Sequence, residues 1–456
     1  MEKSEKLSNK KPEDRLDQFF KLTERGTNVK TEIIAGLTTF MTMAYILIVN
    51  PLMLKDAGMD FGGVFTATAL AAMIATLFMG LVANMPIALA SGMGLNAFFT
   101  YAVVIGMKMP WEFALAAVFV EGLIFMLLTL GNVREAIVNC IPLNVKYAIS
   151  AGIGLFIAFI GLKNASIIVP DGATFVKLAS FHDPKTAPFM IVALIGVLIC
   201  GALMSRNVKG SLLWGIVAAT LIGIPLGVTN LNNFDASQLF HIPSMSKVFM
   251  KMDFSAVATH PIEFLIVLST LLLTNLFDTV GTLIGVADKA KMLDKDGKLP
   301  GVNKALMADA VGTTAGAILG TSVVAAYVES AAGVAEGGRT GLTAVTVAVM
   351  FFLALFLAPV FLLVPSAATA PALIVVGFLM MQAVVKINLE DITEGLPAFL
   401  TIIMMPLTFS IAEGIVFGVL SYIVLKTLTG RGKEVPKATW VIGILFIMKY
   451  VFLGAA

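Results

Sequence analysis

Apolar segments long enough to cross a lipid bilayer recur along almost the whole chain, and they limit what it can fold into. A spanning helix needs about 17–25 predominantly apolar residues, and only helices and closed barrels satisfy every backbone group in lipid. The sequence predicts an all-α polytopic membrane protein with 14 transmembrane segments. The first seven lie near 32–54, 63–84, 92–107, 112–131, 144–162, 187–204 and 209–228. The second seven lie near 262–287, 302–320, 322–338, 341–363, 366–385, 395–411 and 413–429.

The composition excludes several other classes of protein. The 456 residues are 58% hydrophobic and only 13% charged, whereas soluble domains average about 25% charged residues. The net charge is +2 and basic residues cluster at the ends of apolar segments, so nothing indicates a nucleic-acid partner. Cys140 and Cys200 lack the spacing of a metal site or disulfide framework. Because HExxH, GxSxG and P-loop motifs are also missing, we expect neither an enzyme nor a bound cofactor or metal.

Basic residues indicate how the chain is oriented. The N-terminal arm, 1–31, holds eight lysines and arginines, which predicts a cytoplasmic arm by the positive-inside rule. A first seven-span repeat (32–228) and a second (262–429) then flank an extracytoplasmic connection (229–261). An odd number of spans in each half inverts the second repeat relative to the first, as in many secondary transporters. The C-terminal tail (430–456), also expected in the cytoplasm, contains an apolar stretch that could lie at the interface or cross again.

The segment 321–341 combines apolar composition with features that break a helix. It opens with small and β-branched residues, passes Tyr327 and Glu329, and then reaches Gly333, Gly337 and Gly338. β-Branched residues favour extended backbone and glycines weaken helices, so we expect a short extended piece that leads into a short helix. The segment 85–99 has the same pattern, with Asn96 just past its break. Broken helices at matching positions of inverted repeats mark the binding site of a transporter, which predicts a site between spans three and ten.

Carboxylates inside apolar segments are costly and therefore indicate function by default. Asp278 lies near the middle of span eight, on the same helical face as Asn275 and Thr282. Glu329 lies in span ten and Asp309 in span nine. Structural alternatives stay open for each of them. The polar face around Asp278 could tie helices together, Glu329 could end a span among lipid headgroups, and Asp309 could serve structure or coupling as well as ligand contact.

Two acids and one amide around helix breaks suit a ligand with several N–H donors and a few acceptors, such as a heterocyclic base. The candidate substrate-binding residues are Asp278, Glu329, Asn96, Phe98, Phe277, Tyr327 and Ser330. The aromatic residues among them could equally be ordinary packing. A buried carboxyl group can carry a proton, which predicts a proton symporter. An anion transporter of the sulfate or bicarbonate type is the alternative, and two negative groups in the pocket disfavour it.

Four segments of the chain resemble a known family. They are GLTTFMTMAYILIVNP (36–51), SGMGLNAFF (91–99), NLFDTVGTL (275–283) and TSVVAAYVESAAGVAEGGRTGLTAV (321–345). Together they are similar to the AzgA-like adenine/guanine/hypoxanthine permeases, a branch of the nucleobase–cation symporters related to uracil permease and uric acid/xanthine permease. The resemblance implies proton-coupled import of purine bases across the cytoplasmic membrane, an elevator-like motion of a core domain against a gate domain, and a homodimer. Spans five to seven and twelve to fourteen would form the gate.

The resemblance also implies roles for single residues. By motif match, Asp278 and Glu329 take the positions of two base-binding acids, and Asn96 takes that of a contact in span three. Asp309 matches an acid tied to transport in relatives. Thr282 stands where the uracil and xanthine branches have His or Asp. The candidate proton-coupling residues are therefore Asp278, Glu329, Asp309 and Thr282.

Overall fold

The computed structural model is mostly helical and describes residues 12–131, 142–231, 241–290, 292, 299–361, 363–408, 411–437, 439–440, 443–444 and 446–447. In these ranges, seven helical segments are long and apolar enough to cross a membrane. They are Val29–Asp56, Phe61–Ala83, Trp111–Leu130, Asn144–Asn164, Ala187–Ser205, Gly341–Phe361 and Ser366–Lys386. Shorter apolar helices include Met93–Gly106, Ser211–Gly223 and Ile392–Leu407. The prediction of a multi-pass helical membrane protein is confirmed.

The first half of the chain is mainly helical, with one short strand and, further along, a two-stranded hairpin. They are α1 (Pro12–Phe20), α2 (Val29–Met43), α3 (Ile46–Asp56), α4 (Phe61–Phe78), β1 (Leu89–Ser91), α5 (Met93–Ala97), α6 (Trp111–Leu130), α7 (Leu143–Asn164), β2 (Ile168–Asp171), β3 (Phe175–Leu178), α8 (Ala187–Ser205) and α9 (Ser211–Gly223). A π-helical turn, Met79–Ala83, continues α4, and a π-helix, Phe98–Gly106, continues α5. Strands β2 and β3 pair as an antiparallel hairpin.

The second half again places a short strand before a short helix. Its elements are α10 (Phe254–Thr259), α11 (Pro261–Lys289), α12 (Val302–Leu319), β4 (Val324–Ala326), α13 (Ser330–Ala335), α14 (Gly341–Ala354), α15 (Ala358–Phe361), α16 (Ser366–Met381), α17 (Ile392–Leu407) and α18 (Ile411–Leu428). Short 3₁₀ turns follow α14 and α16, and one more, Gly432–Glu434, follows α18.

Polar residues set where several helices begin. Side-chain oxygens of Asn28, Asp60, Asp253, Thr340 and Asp391 accept hydrogen bonds from backbone N–H groups in the first turns of α2, α4, α10, α14 and α17. The first N–H groups of a helix have no partner within it, and a cap of this kind stabilises the helix by about 1 kcal/mol. These polar cap residues therefore mark where the helices begin.

Strands β1 and β4 come from opposite halves of the chain and pair with each other. They run antiparallel, with Ala90 opposite Ala325 at the centre of the register, and every residue of both strands is buried. The extended pieces predicted in spans three and ten are both present. Because their backbone groups pair with each other rather than with lipid, nonhelical backbone can exist deep within the protein.

The helices pack in two groups. The strand-bearing group contains β1, β4, α2 to α6 and α11 to α14, with α4 and α12 packed on the strands. The second group contains α7, α8, α9, α16, α17 and α18, in which α7 packs against both α16 and α17. Fewer contacts join the groups, mainly from α9 to α2 and from α5 to α7. The site residues predicted from the sequence all belong to the strand-bearing group.

Charged residues at the end of α18 pair closely with one another. The Arg431 guanidinium lies 2.6 Å from the Asp391 carboxylate and 2.8 Å from that of Glu434, and the Lys426 ammonium is also 2.8 Å from Glu434. Hydrogen bonds from Arg431 lower the pKa of Asp391 to about 2. They also lower the pKa of Glu434 to about 2, with a further contribution from Lys426. Cationic partners thus keep these acids ionised, and they fasten the start of α17 to the end of α18.

Candidate functional site

Two short helices begin at the paired strands and carry the predicted polar residues. Asn96 lies in α5, directly after β1, and Glu329 lies directly before α13, after β4. The Ser322 hydroxyl donates a hydrogen bond to Oδ1 of Asn96, which joins the two segments. The Nδ2 group of Asn96 is buried and has no hydrogen-bond partner among the described residues. Because buried donors are nearly always paired, this amide is available to a ligand.

Glu329 is held by a residue that the sequence analysis missed. The Tyr45 hydroxyl donates a hydrogen bond of 2.7 Å to Oε1 of Glu329, and Tyr45 is almost fully buried between α2 and α3. Hydrogen bonds to a carboxylate are roughly twice as strong as those between neutral groups. The only sequence signal was the place of Tyr45 inside the motif 36–51, where a tyrosine in an apolar run predicts packing rather than a site.

Asp278 lies on α11 near the other acids. It is partly buried, and α11 packs against α12, which carries Asp309, and against α13, which follows Glu329. No hydrogen bond to its carboxylate exists among the described side chains, and no lysine or arginine of the described ranges forms an ion pair with Asp278 or Glu329. Thr282, one turn further along α11, is also partly buried. In contrast to Asp391 and Glu434, the two acids can therefore accept hydrogen bonds from a ligand.

A fully buried polar network lies beside this site and joins α6, α11 and α12. Nδ2 of Asn275 donates to Glu121 over 3.0 Å, and the Thr279 hydroxyl lies 2.8 Å from Oδ1 of Asp309 and 3.1 Å from Oδ1 of Asn275. For Asn275, the geometry favours the structural role, in which its side chain ties α11 to α6. Asp309 contacts α11 through Thr279, which is the residue next to Asp278 in the chain.

Two further candidates, Tyr327 and Ser330, support the strand pairing through hydrogen bonds. The Tyr327 hydroxyl donates to the Ser91 carbonyl over 2.5 Å, and Oγ of Ser330 accepts from the Ala88 N–H over 3.0 Å. Phe98 is almost fully buried at the start of the π-helix that continues α5. The side chain of Phe277 lies outside the described residues. Contact of these four side chains with a ligand stays a prediction.

Asn50 is a second residue that the sequence analysis missed, and its hydrogen bonds connect the segments of the two strands. Its Nδ2 group lies 2.7 Å from the Thr68 hydroxyl, 2.9 Å from that of Thr321 and 3.3 Å from that of Ser91. All four side chains are buried. They belong to α3, α4, β1 and the residue that leads toward β4, so this cluster fixes both strands on the helices. A sequence signal existed, since Asn50 is polar within the apolar motif 36–51.

A buried acid, Glu32, fixes the backbone that follows α13. Its carboxylate accepts hydrogen bonds from the backbone N–H groups of Arg339, Thr340 and Thr343, at 2.8, 3.2 and 3.1 Å, and from the Thr343 hydroxyl at 2.6 Å. A carboxylate at the N-terminus of α14 is also favoured by the helix dipole. Glu32 thus has its partners within the protein and serves structure. Within the described ranges, no three His, Cys, Asp or Glu side chains group to hold a metal ion.

Comparison with known sequences places these residues in a wider context. The chain matches the permease family Xan_ur_permease over residues 30–417. It is 43% identical to the adenine permease AdeP of Escherichia coli over 440 residues, which cover 96% of this chain and 97% of that protein. It is 45% identical to the guanine/hypoxanthine permease PbuO of Bacillus subtilis over 439 residues, which cover 95% of this chain and all of that protein.

Comparison with solved structures supports the fold. The transmembrane domain of the cyanobacterial bicarbonate transporter BicA superposes with a TM-score of 0.62, covering 86% of this chain and 97% of that one. Sequence identity over the match is 15%. The likeness therefore concerns the transporter fold, and it leaves the substrate to be argued from the side chains at the site.

Proposed function

We propose that this chain, which belongs to the permease family Xan_ur_permease, is a secondary transporter that imports purine nucleobases. It is a multi-pass membrane transporter and not an enzyme, and relatives that match nearly its whole length are named as adenine and guanine/hypoxanthine permeases. The observation that carries the proposal is that Asp278, Glu329 and the unpartnered amide of Asn96 lie on segments that pack together at the paired strands. Neither acid has a cationic partner among the described residues.

The donors and acceptors at this site match those of a purine base. Purines carry N–H groups on the ring edge, which the carboxylates of Asp278 and Glu329 would accept. They also carry ring nitrogens or a carbonyl, which Nδ2 of Asn96 would meet. Tyr45 orients Glu329 from the side of α2 and α3. A site that hydrogen-bonds its substrate rejects molecules that leave its polar groups unpaired, so we expect purines to bind in preference to apolar or anionic molecules.

The proposal includes an architecture of 14 spans in two inverted repeats, 32–228 and 262–429, with both termini in the cytoplasm. The antiparallel pairing of β1 with β4 from matching positions supports it. We further propose that the strand-bearing group is the core domain, which carries the base, and that the second group is the gate domain. Import would follow an elevator-type shift of the core in the cytoplasmic membrane, in a homodimer joined through the gate.

A binding measurement tests substrate class and site together. Purified protein is incubated with radiolabelled hypoxanthine, guanine, adenine, xanthine and uracil in pairwise competition. We expect purine-selective binding that Glu329→Gln and Asp278→Asn each weaken by about 1.5–3 kcal/mol, because each change removes a charged hydrogen-bond acceptor. Glu390→Gln, an exposed acid outside the site, is the matched control. Unchanged affinity in both site variants would sink the assignment of these acids.

Proton coupling is a separate proposal with its own test. Glu329 and Asp278 are the groups that would bind the proton, with Asp309 and Thr282 as further candidates, because carboxyl groups withdrawn from water can exchange a proton during transport. We expect uptake into proteoliposomes to require an inward proton gradient and to collapse with a protonophore. Replacing sodium by potassium should leave the rate unchanged. Strict dependence on sodium would refute proton coupling while leaving the substrate assignment intact.

A further inference from the structure

A cavity of about 480 Å³ lies at the boundary between the two helix groups, away from the proposed site. The end of α3 lines it on one side, and the end of α7, the connection that follows α9 and the start of α16 line it on the other. Its volume falls within the range of about 300–1,000 Å³ that is typical of small-molecule sites. None of Asn96, Asp278 and Glu329 lines it.

The position of the cavity relates it to the transport path. It lies where α3 and α7 end, at Asp56 and Asn164, and so at the opposite end of the first span from the N-terminal arm. From there α3 leads inward to the site. Val49 lines the cavity and lies one turn after Tyr45, and residues four apart share one face of a helix. Since Tyr45 binds Glu329, the same face of one helix connects the cavity with the site.

The lining combines apolar walls with donors and acceptors of both signs. Asp56 and Lys55 contribute opposite charges, Asn164 an amide and Thr369 a hydroxyl, while Phe61 provides a flat apolar wall. Balanced charge gives no net attraction for an anion or a cation. Donors and acceptors beside an aromatic wall instead suit an uncharged planar molecule that has both kinds of group.

Two polar residues that line the cavity, Asp56 and Asn164, are joined through the hydroxyl of Tyr101. The Tyr101 hydroxyl donates to Oδ2 of Asp56 over 2.8 Å, and Nδ2 of Asn164 donates to the same hydroxyl over 3.4 Å. Tyr101 is almost fully buried, whereas Asp56 is exposed. The buried tyrosine therefore anchors the exposed carboxylate in one orientation. A carboxylate held in this way can accept an N–H group from a ligand without first losing the freedom of its own side chain.

We propose that this cavity is an outer binding site for an uncharged purine base, occupied before the base reaches Asn96, Asp278 and Glu329. The inference rests on the proposed function, because it assigns the cavity to the substrate of the same transporter. Asp56 is the residue that would accept an N–H group of the base there. Its replacement should raise the KM of uptake while leaving the maximal rate unchanged, because the inner site and its acids stay intact.

The test measures whether a base protects the cavity from a thiol reagent. Ser366 is exposed and lines the cavity, so Ser366→Cys introduces a target for a charged methanethiosulfonate in purified protein. At a hypoxanthine concentration about ten times the Kd of the outer cavity, labelling of the introduced cysteine should slow about tenfold, because occupied cavities do not react. We expect this protection to persist when Glu329→Gln is added, and to be lost when Asp56→Asn is added. Ser246→Cys, exposed but outside the cavity, should label at one rate throughout.

The variants separate the possible failures. Protection that disappears with Glu329→Gln would show that only the inner site binds the base and would overturn the outer site. Equal labelling with and without hypoxanthine, in protein that binds hypoxanthine by dialysis, would overturn it as well. If the unmodified chain binds no purine at all, the proposed function itself fails, and the outer site fails with it. The unmodified chain also serves as the control for Cys140 and Cys200.

Discussion

The polar residues at this site differ in whether the protein already supplies their hydrogen-bond partners. Glu32 has four donors around its carboxylate, and Asn275 has Glu121 and Thr279. Asp278 has no hydrogen-bond partner among the described side chains, and Nδ2 of Asn96 has none either. A buried polar group without a partner costs about 1–3 kcal/mol. At this site, Asp278 and Nδ2 of Asn96 are thus the groups that a ligand would complete.

Tyr45→Phe tests how much the orientation of Glu329 matters. The substitution removes the hydroxyl that donates to Glu329 over 2.7 Å and keeps the buried ring. We expect hypoxanthine affinity to fall by about 1–2 kcal/mol, or about 5- to 30-fold in Kd, because the carboxylate is no longer held toward the base. Equilibrium dialysis of the purified variant measures it.

The matched control for this substitution is Tyr147→Phe. Tyr147 lies on α7 in the second group, where the Lys386 ammonium stands 5.6 Å from the centre of its ring. Loss of that hydroxyl should leave binding unchanged. An affinity equal to that of the unmodified chain for Tyr45→Phe would mean that another contact orients Glu329.

Among the elements, the start of α14 packs against the turn that follows α4 more closely than any side chain allows. A Cβ atom added at Gly341 would lie 1.9 Å from the Gly80 carbonyl oxygen, which is backbone and cannot rotate away. The same region receives hydrogen bonds from Glu32 and follows α13 directly. Close backbone contact therefore connects the start of α14, which follows the short helix of the site, with the turn after α4.

Gly341→Ala should separate these two elements. We expect the substitution to destabilise the protein by about 1–3 kcal/mol, because the backbone must shift to make room for the methyl group. Thermal unfolding of the protein in detergent measures the loss. Gly201→Ala is the matched control, since Gly201 lies in α8 with no atom within 4 Å of the added Cβ. Alanine favours helix over glycine by up to about 1 kcal/mol, so equal unfolding temperatures for the two variants would contradict the expected clash.

For the molecule as a whole, an ion pair connects the two helix groups at the end opposite the outer cavity. The Lys209 ammonium, between α8 and α9, lies 2.6 Å from the Glu336 carboxylate at the end of α13. Both side chains are partly exposed, and such pairs contribute about 0.2–1 kcal/mol. The pair is therefore weak enough for the proposed shift of the core domain to break it.

Crosslinking across this pair tests whether the groups move relative to each other. Lys209→Cys combined with Glu336→Cys can be joined by a short, cleavable thiol crosslinker. We expect uptake to stop after crosslinking and to recover after cleavage, because an elevator-type shift needs the groups to separate. The matched control is Lys21→Cys with Glu24→Cys, an ion pair within one turn. Full uptake by the crosslinked chain would exclude motion between these two segments.

The sequence by itself determined the properties that depend on near neighbours along the chain. Hydropathy over about 20 residues indicates a membrane helix, so the multi-pass helical class followed directly. β-Branched residues and glycines around Glu329 and Asn96 were enough to predict both extended pieces. The acids Asp278 and Glu329 were visible because a carboxylate in an apolar segment is costly wherever that segment packs.

Only the tertiary structure decided which of these groups meet. Tyr45 and Glu329 are 284 positions apart, and Asn50 and Thr321 are 271 apart, so neither contact has a local signal. Tyrosine and asparagine also fit many environments, which is why their types did not reveal their partners. The cavity between α3 and α16 depends in the same way on how two groups of helices pack. Hydrogen bonds and cavities arise from positions in space, and packing between distant segments sets those positions.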